Sequence, residues 1–297
     1  NIAKLRHGQA KYTMICTSTG DVIDDLIVYR MADQDYLVVA NASNRHSVLI
    51  ALQDIGDYGF KVDIADETED WALVAIQGPK SAAILQKLVD VDLTTLSYYS
   101  IAKANLEGVE VLLARTGYTG ERGYELFCKA ADAPTIWDTI VAEGKALGIV
   151  PCAFTALDWL RVESSLLFYP YDNSDMYPMD GEPIGDTLWE LGLDFTVSPG
   201  KKDFRGAAEH YRLKGKERFK IFGVLLDGEQ AAEAGDTLWA DGKQVGIITC
   251  GMYSRLTGKS MAIARMDVPY AEQGAPLQVK GSLEVAAIAH TLPFDDP

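Results

Sequence analysis

The chain has 297 residues, 48% of them hydrophobic, with 27 Lys and Arg against 43 Asp and Glu, giving a formal net charge of -16 at pH 7. That length and apolar content are enough to bury a sizeable core and to build more than one domain. The charge excludes a phosphate-backbone partner, because nucleic-acid affinity rests on Lys and Arg, and the apolar runs are too short to span a bilayer.

In chain order, AKYTMICT (10–17), VIDDLIVYR (22–30) and YLVVANA (36–42) read as strands separated by the turns STGD and MADQD. SNRHSVLIALQDIG (43–56) then reads as a helix with a polar start and a Gly end. WALVAIQ (71–77) is a further strand, and KSAAILQKLVD (80–90) a helix opening just after Pro79. EGVEVLLART and GYELFCKA form a hairpin-like pair around GYTGERG, followed by the helices PTIWDTIVAEGKALG and FTALDWLRVESSLL. The polar, Pro-bearing stretch 169–186 is long enough to predict a lid or binding loop. From about Glu217 the pattern changes to five short strands, in 218–226, 236–242, 243–251, 259–266 and 276–281, cut by Gly and Asp turns, which predicts a small antiparallel β-barrel or sandwich. The class is α+β, and a domain boundary is expected in the charged stretch 210–218.

Asp24 and Asp25 lie inside an apolar strand, where Asp is depleted and an ionised side chain is costly to bury. Strand alternation puts Asp24 on a face with Leu26 and Val28, and Asp25 on the opposite face with Ile27 and Tyr29. Two readings stand. In one, the strand starts later and the acids cap a turn and a wet edge; in the other, one carboxylate projects into a cleft to orient or activate a nitrogen or a water. TGYTGERGYE (116–125) likewise reads either as a wide hairpin turn or as a loop where backbone and aromatic faces meet a ligand. Cys16, Cys128, Cys152 and Cys250 are far apart and predict reduced structural thiols, hence a cytoplasmic or organelle-matrix setting. The scattered histidines predict no metal site. The chain opens on Asn1, so a processed or partial chain is expected, with any upstream targeting segment out of view.

KYTMICTSTGDVIDDLIVYR, YLVVANASNR, LVAIQGP, ARTGYTGERGYELF, ALDWLRVE, LWELGL, DFRG and GIITCGMYS occur in the order seen in the folate-binding aminomethyltransferase family, which this chain resembles over essentially its whole length. The family includes the T-protein of the glycine cleavage system and related tetrahydrofolate-dependent demethylases, and the match begins inside the family's pattern. The resemblance implies a three-domain cloverleaf around a tetrahydrofolate site, here expected as 1–88, 89–215 and a C-terminal β-barrel over 216–297. It implies Asp24 as the catalytic aspartate and Tyr12, Asn41, Tyr118, Glu125, Arg161 and Tyr169 as folate-binding residues, with no metal. Glu125 would take the adjacent N3-H and 2-amino donors of the pterin, which suit a two-oxygen acceptor.

The expected activity is transfer of a one-carbon unit from a donor to tetrahydrofolate, the cosubstrate. The donor would be an aminomethyl group on the lipoyl carrier H-protein or, alternatively, a small methylated sulfonium, amine or ether in a demethylase. Leu157, in place of the family's arginine, and the lengthened 168–186 segment favour divergence from the glycine cleavage reaction. A non-catalytic iron-sulfur assembly factor of the same fold is a third reading. It is opposed by the lack of that group's Lys-Gly-Cys signature and by the retention of Asp24. Neither a membrane nor a nucleic-acid partner is expected.

Overall fold

The computed structural model describes residues 1–56, 59–169, 171–179, 181 and 184–294. In chain order the elements are β1 (Ala10–Cys16), β2 (Val22–Ala32), β3 (Asp35–Ala40), α1 (Arg45–Gly56), β4 (Trp71–Gln77), α2 (Ser81–Leu85), β5 (Ile101–Leu106), β6 (Val109–Ala114) and β7 (Gly123–Lys129). They continue as α3 (Ala133–Gly144), α4 (Phe154–Glu163), α5 (Ala207–Leu213), β8 (Phe219–Leu226), β9 (Thr237–Ala240), β10 (Lys243–Ser254), β11 (Lys259–Asp267), β12 (Pro276–Lys280) and β13 (Glu284–His290). Two compact units result: Asn1–Thr13, Leu26–Val39 and Leu49–Leu157 form one, and Met14–Asp25, Ala40–Val48 and Asp158–Pro297 the other. The strands of the β1-β2-β3 sheet contribute residues to both.

The first unit is built on the antiparallel sheet β4-β7-β6-β5. Strand β7 is buried on both faces, as its near-continuous apolar character demands, whereas β4 and β5 alternate and expose Leu73, Ala75, Lys103 and Asn105. Leu113 and Leu126, paired across β6 and β7, join Ile84, Leu85, Ile136 and Ile140 in one core. The next pair, Leu112 and Phe127, turns to the other face with Tyr29 and Ile101. Strand alternation therefore places Glu125 on the Tyr29 face. The helix expected over 80–90 is only Ser81–Leu85. Beyond it the chain is drawn to β5 by a bridge from Val89 to Leu106 and by the Asn105 N–H donating to Asp90 Oδ1 at 2.7 Å.

In the second unit a closed barrel, β10-β11-β8-β13-β12-β9, surrounds a core that includes Val224, Leu238, Val245, Ile248, Ala264 and Val279. The expected barrel is present with six strands. β13 is an addition to the five expected strands: its pattern is diluted by Ala286, Ala287 and Ala289, with only Val285 and Ile288 β-branched, and its small side chains Ala287 and Ala289 fill the barrel interior. A register shift between Ile248 and Cys250 frees Thr249 from the ladder, and its hydroxyl lies 2.6 Å from Asp172 Oδ1.

That contact belongs to a buried ionic network. Arg161, 2% exposed, donates from Nε to Asp158 Oδ1 at 2.7 Å and from Nη1 to Asp172 Oδ2 at 2.5 Å. The Cys250 thiol, pushed up to about 12 mainly by burial, donates to Asp158 Oδ2. These contacts tie the end of α4 and the 168–172 segment to the bulge of β10. The 169–186 stretch is part buried and part exposed: Tyr169, Asp172, Asn173, Ser174 and Asp186 are buried, Tyr171, Asp175, Met176 and Ile184 are exposed, and 170, 180, 182 and 183 lie outside the described residues. Among the described residues no helix is long and apolar enough to cross a membrane. Replacing Arg161 by Met leaves Asp172 as an uncompensated buried charge, so a loss of about 3–5 kcal/mol is expected in urea denaturation.

Candidate functional site

β2 begins at Val22, so both acids are inside the strand, and the turn-capping reading of the pair does not hold. Val22, Asp24, Leu26 and Val28 share the buried face, and Asp24 is 0% exposed. Its partners come from the turn that follows β3. The Asn41 backbone N–H donates to Oδ2 at 3.1 Å, and the Asn41 and Asn44 side-chain amides donate to Oδ1 at 3.0 and 3.1 Å. Asn41 precedes a 3-10 turn, Ala42–Asn44, that ends on Asn44, and the i, i+3 spacing brings both side chains onto the same acid. Asn44 also holds the Ile23 carbonyl at 2.7 Å, fixing the strand beside the carboxylate.

Every donor to Asp24 is neutral. Burial pushes its carboxyl above the ordinary 3.8, and the bonds from Asn41 and Asn44 offset this only in part. Asp25, half-buried on the opposite face, accepts from Asn41 Nδ2 at 2.5 Å through its side chain and at 3.2 Å through its carbonyl. Asn41 thus locks both acids of the pair. Tyr169, 4% exposed, donates its hydroxyl to the Val22 carbonyl at 2.6 Å, two residues before Asp24. Its phenol is raised chiefly by burial, with the charges of Asp186, Asp175 and Asp24 adding to the effect. The Asp186 carbonyl accepts the Val22 N–H, so the 169–187 segment is stitched to the start of β2.

In the first unit, Glu125 is half-buried on β7 opposite Ala75 and Ala114. The Thr116 hydroxyl donates to its Oε2, and the Tyr29 hydroxyl lies 3.1 Å from that Thr116 oxygen. Burial raises the Glu125 carboxyl, with Thr116 opposing. Gln77 stiffens the adjoining turn by donating to the carbonyls of Thr116 and Tyr124 while accepting from the Thr119 hydroxyl. Gly117 and Gly123 lie beside it, and a Cβ at either would come within 2.0 Å of the Gln77 amide oxygen and displace that side chain from its bonds. Tyr118, in this turn, and Tyr12, on β1, are both half-buried.

The structure therefore joins Asp24 directly to Asn41 and places Tyr169 against the same strand, all in the second unit. Arg161 is in that unit too, with its guanidinium committed to Asp158 and Asp172. Tyr12, Tyr118 and Glu125 are in the first unit. Asn44, Thr116 and Tyr29 were not singled out from the sequence. The repeat of Asn three residues apart in NASN was a signal for Asn44; nothing in the periodicity pointed to Thr116 or Tyr29. Among the described residues no group of His, Cys, Asp and Glu is arranged to hold a metal ion.

Two family models match the chain: the GCVT N-terminal domain over residues 1–201, and the glycine cleavage T-protein C-terminal barrel domain over 220–296. The chain is 59% identical over 297 residues to the heme-dependent oxidative N-demethylase gamma subunit of Ectopseudomonas mendocina, covering 100% of this chain and 77% of that protein. It is 37% identical over 298 residues to an aminomethyltransferase of Streptomyces avermitilis, covering 99% and 78%. The solved structure of the glycine cleavage system aminomethyltransferase T from Bartonella henselae superposes with a TM-score of 0.85 at 24% identity over 98% of this chain and 77% of that one, the same fold. The chain belongs to the glycine cleavage T-protein family, the aminomethyltransferases.

Proposed function

We propose that the chain is a tetrahydrofolate-dependent one-carbon transferase whose donor carbon is carried on the nitrogen of a methylated amine. The observation that carries this reading is the buried Asp24 carboxylate, held in a fixed orientation by Asn41 and Asn44 with no cationic side chain among the described residues bonded to it. An acid so placed is an electrostatic partner for positive charge that develops during transfer, and its donors are already organised before the reaction. Bound tetrahydrofolate supplies the nucleophilic nitrogen that takes the carbon, while the donor's nitrogen leaves with the electron pair of the broken C–N bond. An aminomethyl carbon is already at the formaldehyde oxidation level, whereas the carbon of a methylated amine reaches it only after a two-electron oxidation, which in this reading takes place on a separate oxidative subunit, so that the carbon arrives here as an N–CH2 group. The likeness to a gamma subunit across the full chain supports delivery of that carbon within a multi-subunit assembly, in place of the lipoyl H-protein. Leu157, where the family pattern has arginine, supports the same change of donor.

The chain's side chains suit the folate. Glu125 has one oxygen occupied by Thr116, and its carboxylate is proposed to accept the pterin N–H donors. Tyr118 and Tyr12 are proposed as flat contacts to the bound rings, and Asn41 and Tyr169 as the groups that line the folate beside Asp24. Arg161 is assigned an indirect part: its carboxylate partners hold the segment that carries Tyr169.

Three outcomes test these roles. Asp24→Asn should retain tetrahydrofolate binding in calorimetric titration while transfer from an aminomethyl (N–CH2) donor falls by about a hundredfold or more; equal turnover would remove Asp24 from the mechanism. Glu125→Ala should weaken tetrahydrofolate binding by roughly tenfold or more, the scale of a lost charge-assisted hydrogen bond. For Asp24 the folded carboxyl titrates above the unfolded value, so native stability declines as pH rises from about 3.8 through the raised value. The urea midpoint of the wild type should fall relative to Asp24→Asn across that window, and the acid limb of kcat/KM should lie above the usual carboxylate range.

A further inference from the structure

The Tyr29 side chain is 1% exposed and sits among Ala10, Ile101, Ala114 and Phe127, with the Phe127 ring edge-on at a centroid distance of 5.7 Å. Phenylalanine would fill that space without the cost of stripping water from a hydroxyl, so the oxygen has to be accounted for by a bond. Its bond is to Thr116 Oγ1, 3.1 Å away and equally buried, and Thr116 in turn reaches Glu125 Oε2. Tyr29 comes from β2, Thr116 from the segment between β6 and β7, and Glu125 from β7. Three separate pieces of the first unit thus meet in one line of polar atoms.

The line has one direction. An ionised carboxylate only accepts, so the Thr116 hydroxyl gives its single proton to Oε2 and its oxygen is left as an acceptor toward Tyr29. The Tyr29 proton must then point at Thr116. Burial raises the Tyr29 phenol above its ordinary 10.0, the Thr116 bond opposing only in part, so that proton is kept. The main chain fixes the middle of the line as well: Gln77 Nε2 donates to the Thr116 carbonyl at 3.2 Å and to the carbonyl of Tyr124, next to Glu125, at 3.3 Å. Oε2 keeps a second lone pair, and Oε1 takes no hydrogen bond among the described residues, so both oxygens retain capacity for further donors.

We infer that Tyr29 and Thr116 are positioning residues for the pterin, a relay of two hydroxyls that orients the Glu125 carboxylate and holds it as an acceptor. The inference rests on the reading that Glu125 accepts the pterin N–H donors. A glutamate side chain is rich in rotamers, and fixing this one before the ligand arrives removes part of the ordering cost from binding. A cationic partner would orient Glu125 as firmly, but it would neutralise the charge on which the bonds to the pterin depend. The relay supplies orientation from neutral groups alone.

Calorimetric titration of variants with tetrahydrofolate tests this. Thr116→Val keeps the shape of the side chain and removes the hydroxyl; it should weaken binding by about tenfold, the scale of one hydrogen bond to a charged group. Thr116→Ser, which keeps the donor, should bind within about twofold of the wild type. Tyr29→Phe keeps the ring against Phe127 and loses the outer proton; it should weaken binding by about threefold, and it carries the test alone if Thr116→Val does not fold. In a Glu125→Ala background both penalties should vanish, because the relay acts through that carboxylate, whereas a merely structural role would keep them. Wild-type affinity in Thr116→Val or in Tyr29→Phe, a Thr116→Ser variant as weak as Thr116→Val, or losses that persist without Glu125 overturn the relay and leave the folate reading in place. Wild-type affinity in Glu125→Ala overturns both.

Discussion

The arrangement depends on how one buried carboxylate is kept charged without being neutralised. Asp24 has lost its water, and a carboxylate in that position is tolerated only when hydrogen bonds replace the lost solvation. An arginine would do this most strongly, but it would also cancel the charge and leave an ordinary ion pair. The Asn41 and Asn44 amides, with one backbone N–H, supply three bonds and no formal charge. The negative charge therefore stays available to whatever cationic centre approaches it. This requirement reaches backward into the fold: β3 must stop at Ala40 and turn at once through Ala42–Asn44, with β3 beside β2 in the sheet.

Other acids in the chain receive different treatment. Asp172 is bonded to Arg161, and Glu190 to Arg218, whose charge and hydrogen bonds outweigh burial and hold the Glu190 carboxyl below its ordinary range. Those pairs act as cross-ties: one joins α4 to the barrel bulge, and the other joins the 185–190 segment to the start of β8. Glu125 follows the pattern of Asp24, with a hydroxyl as its donor and a carboxyl raised by burial. The contrast separates acids that brace the fold from acids left with chemical capacity, and it is drawn from donor type more than from depth.

Much of this was legible in the sequence. Period-two alternation forced Asp24 and Asp25 onto opposite faces before any coordinates, and the short strands between Gly and Asp turns announced the barrel. What failed did so for identifiable reasons. β13 hides because alanine lacks strand propensity, although a small barrel needs small residues inside. In the 169–186 stretch, exposed at Tyr171, Met176 and Ile184, the sequence does not reveal that buried polar groups bond to one another and to β2, as Ser174 does to Asp186. Thr116 and Asn44 escape any periodic reading because their significance is a bond to a distant carboxylate. The Asp pair announced that a donor was needed without saying which residue would supply it.

Composition misleads in a related way over charge. A pI near 4.6 describes the whole chain, whereas a charged ligand meets only the groups within a screening length of where it lies. Because eight of the 27 basic residues fall in a stretch of twenty, the chain is acidic on average and basic at α5. The same stretch reads from sequence as a charged connector between domains. Its backbone is anchored by Trp189 at His210 and by Tyr211 at Lys201, and its Arg205 side chain by the turn before β2, so the chain that carries the charge is held in place. Position converts composition into a field, and here it sets positive charge at the near end of the strand that carries the buried negative one.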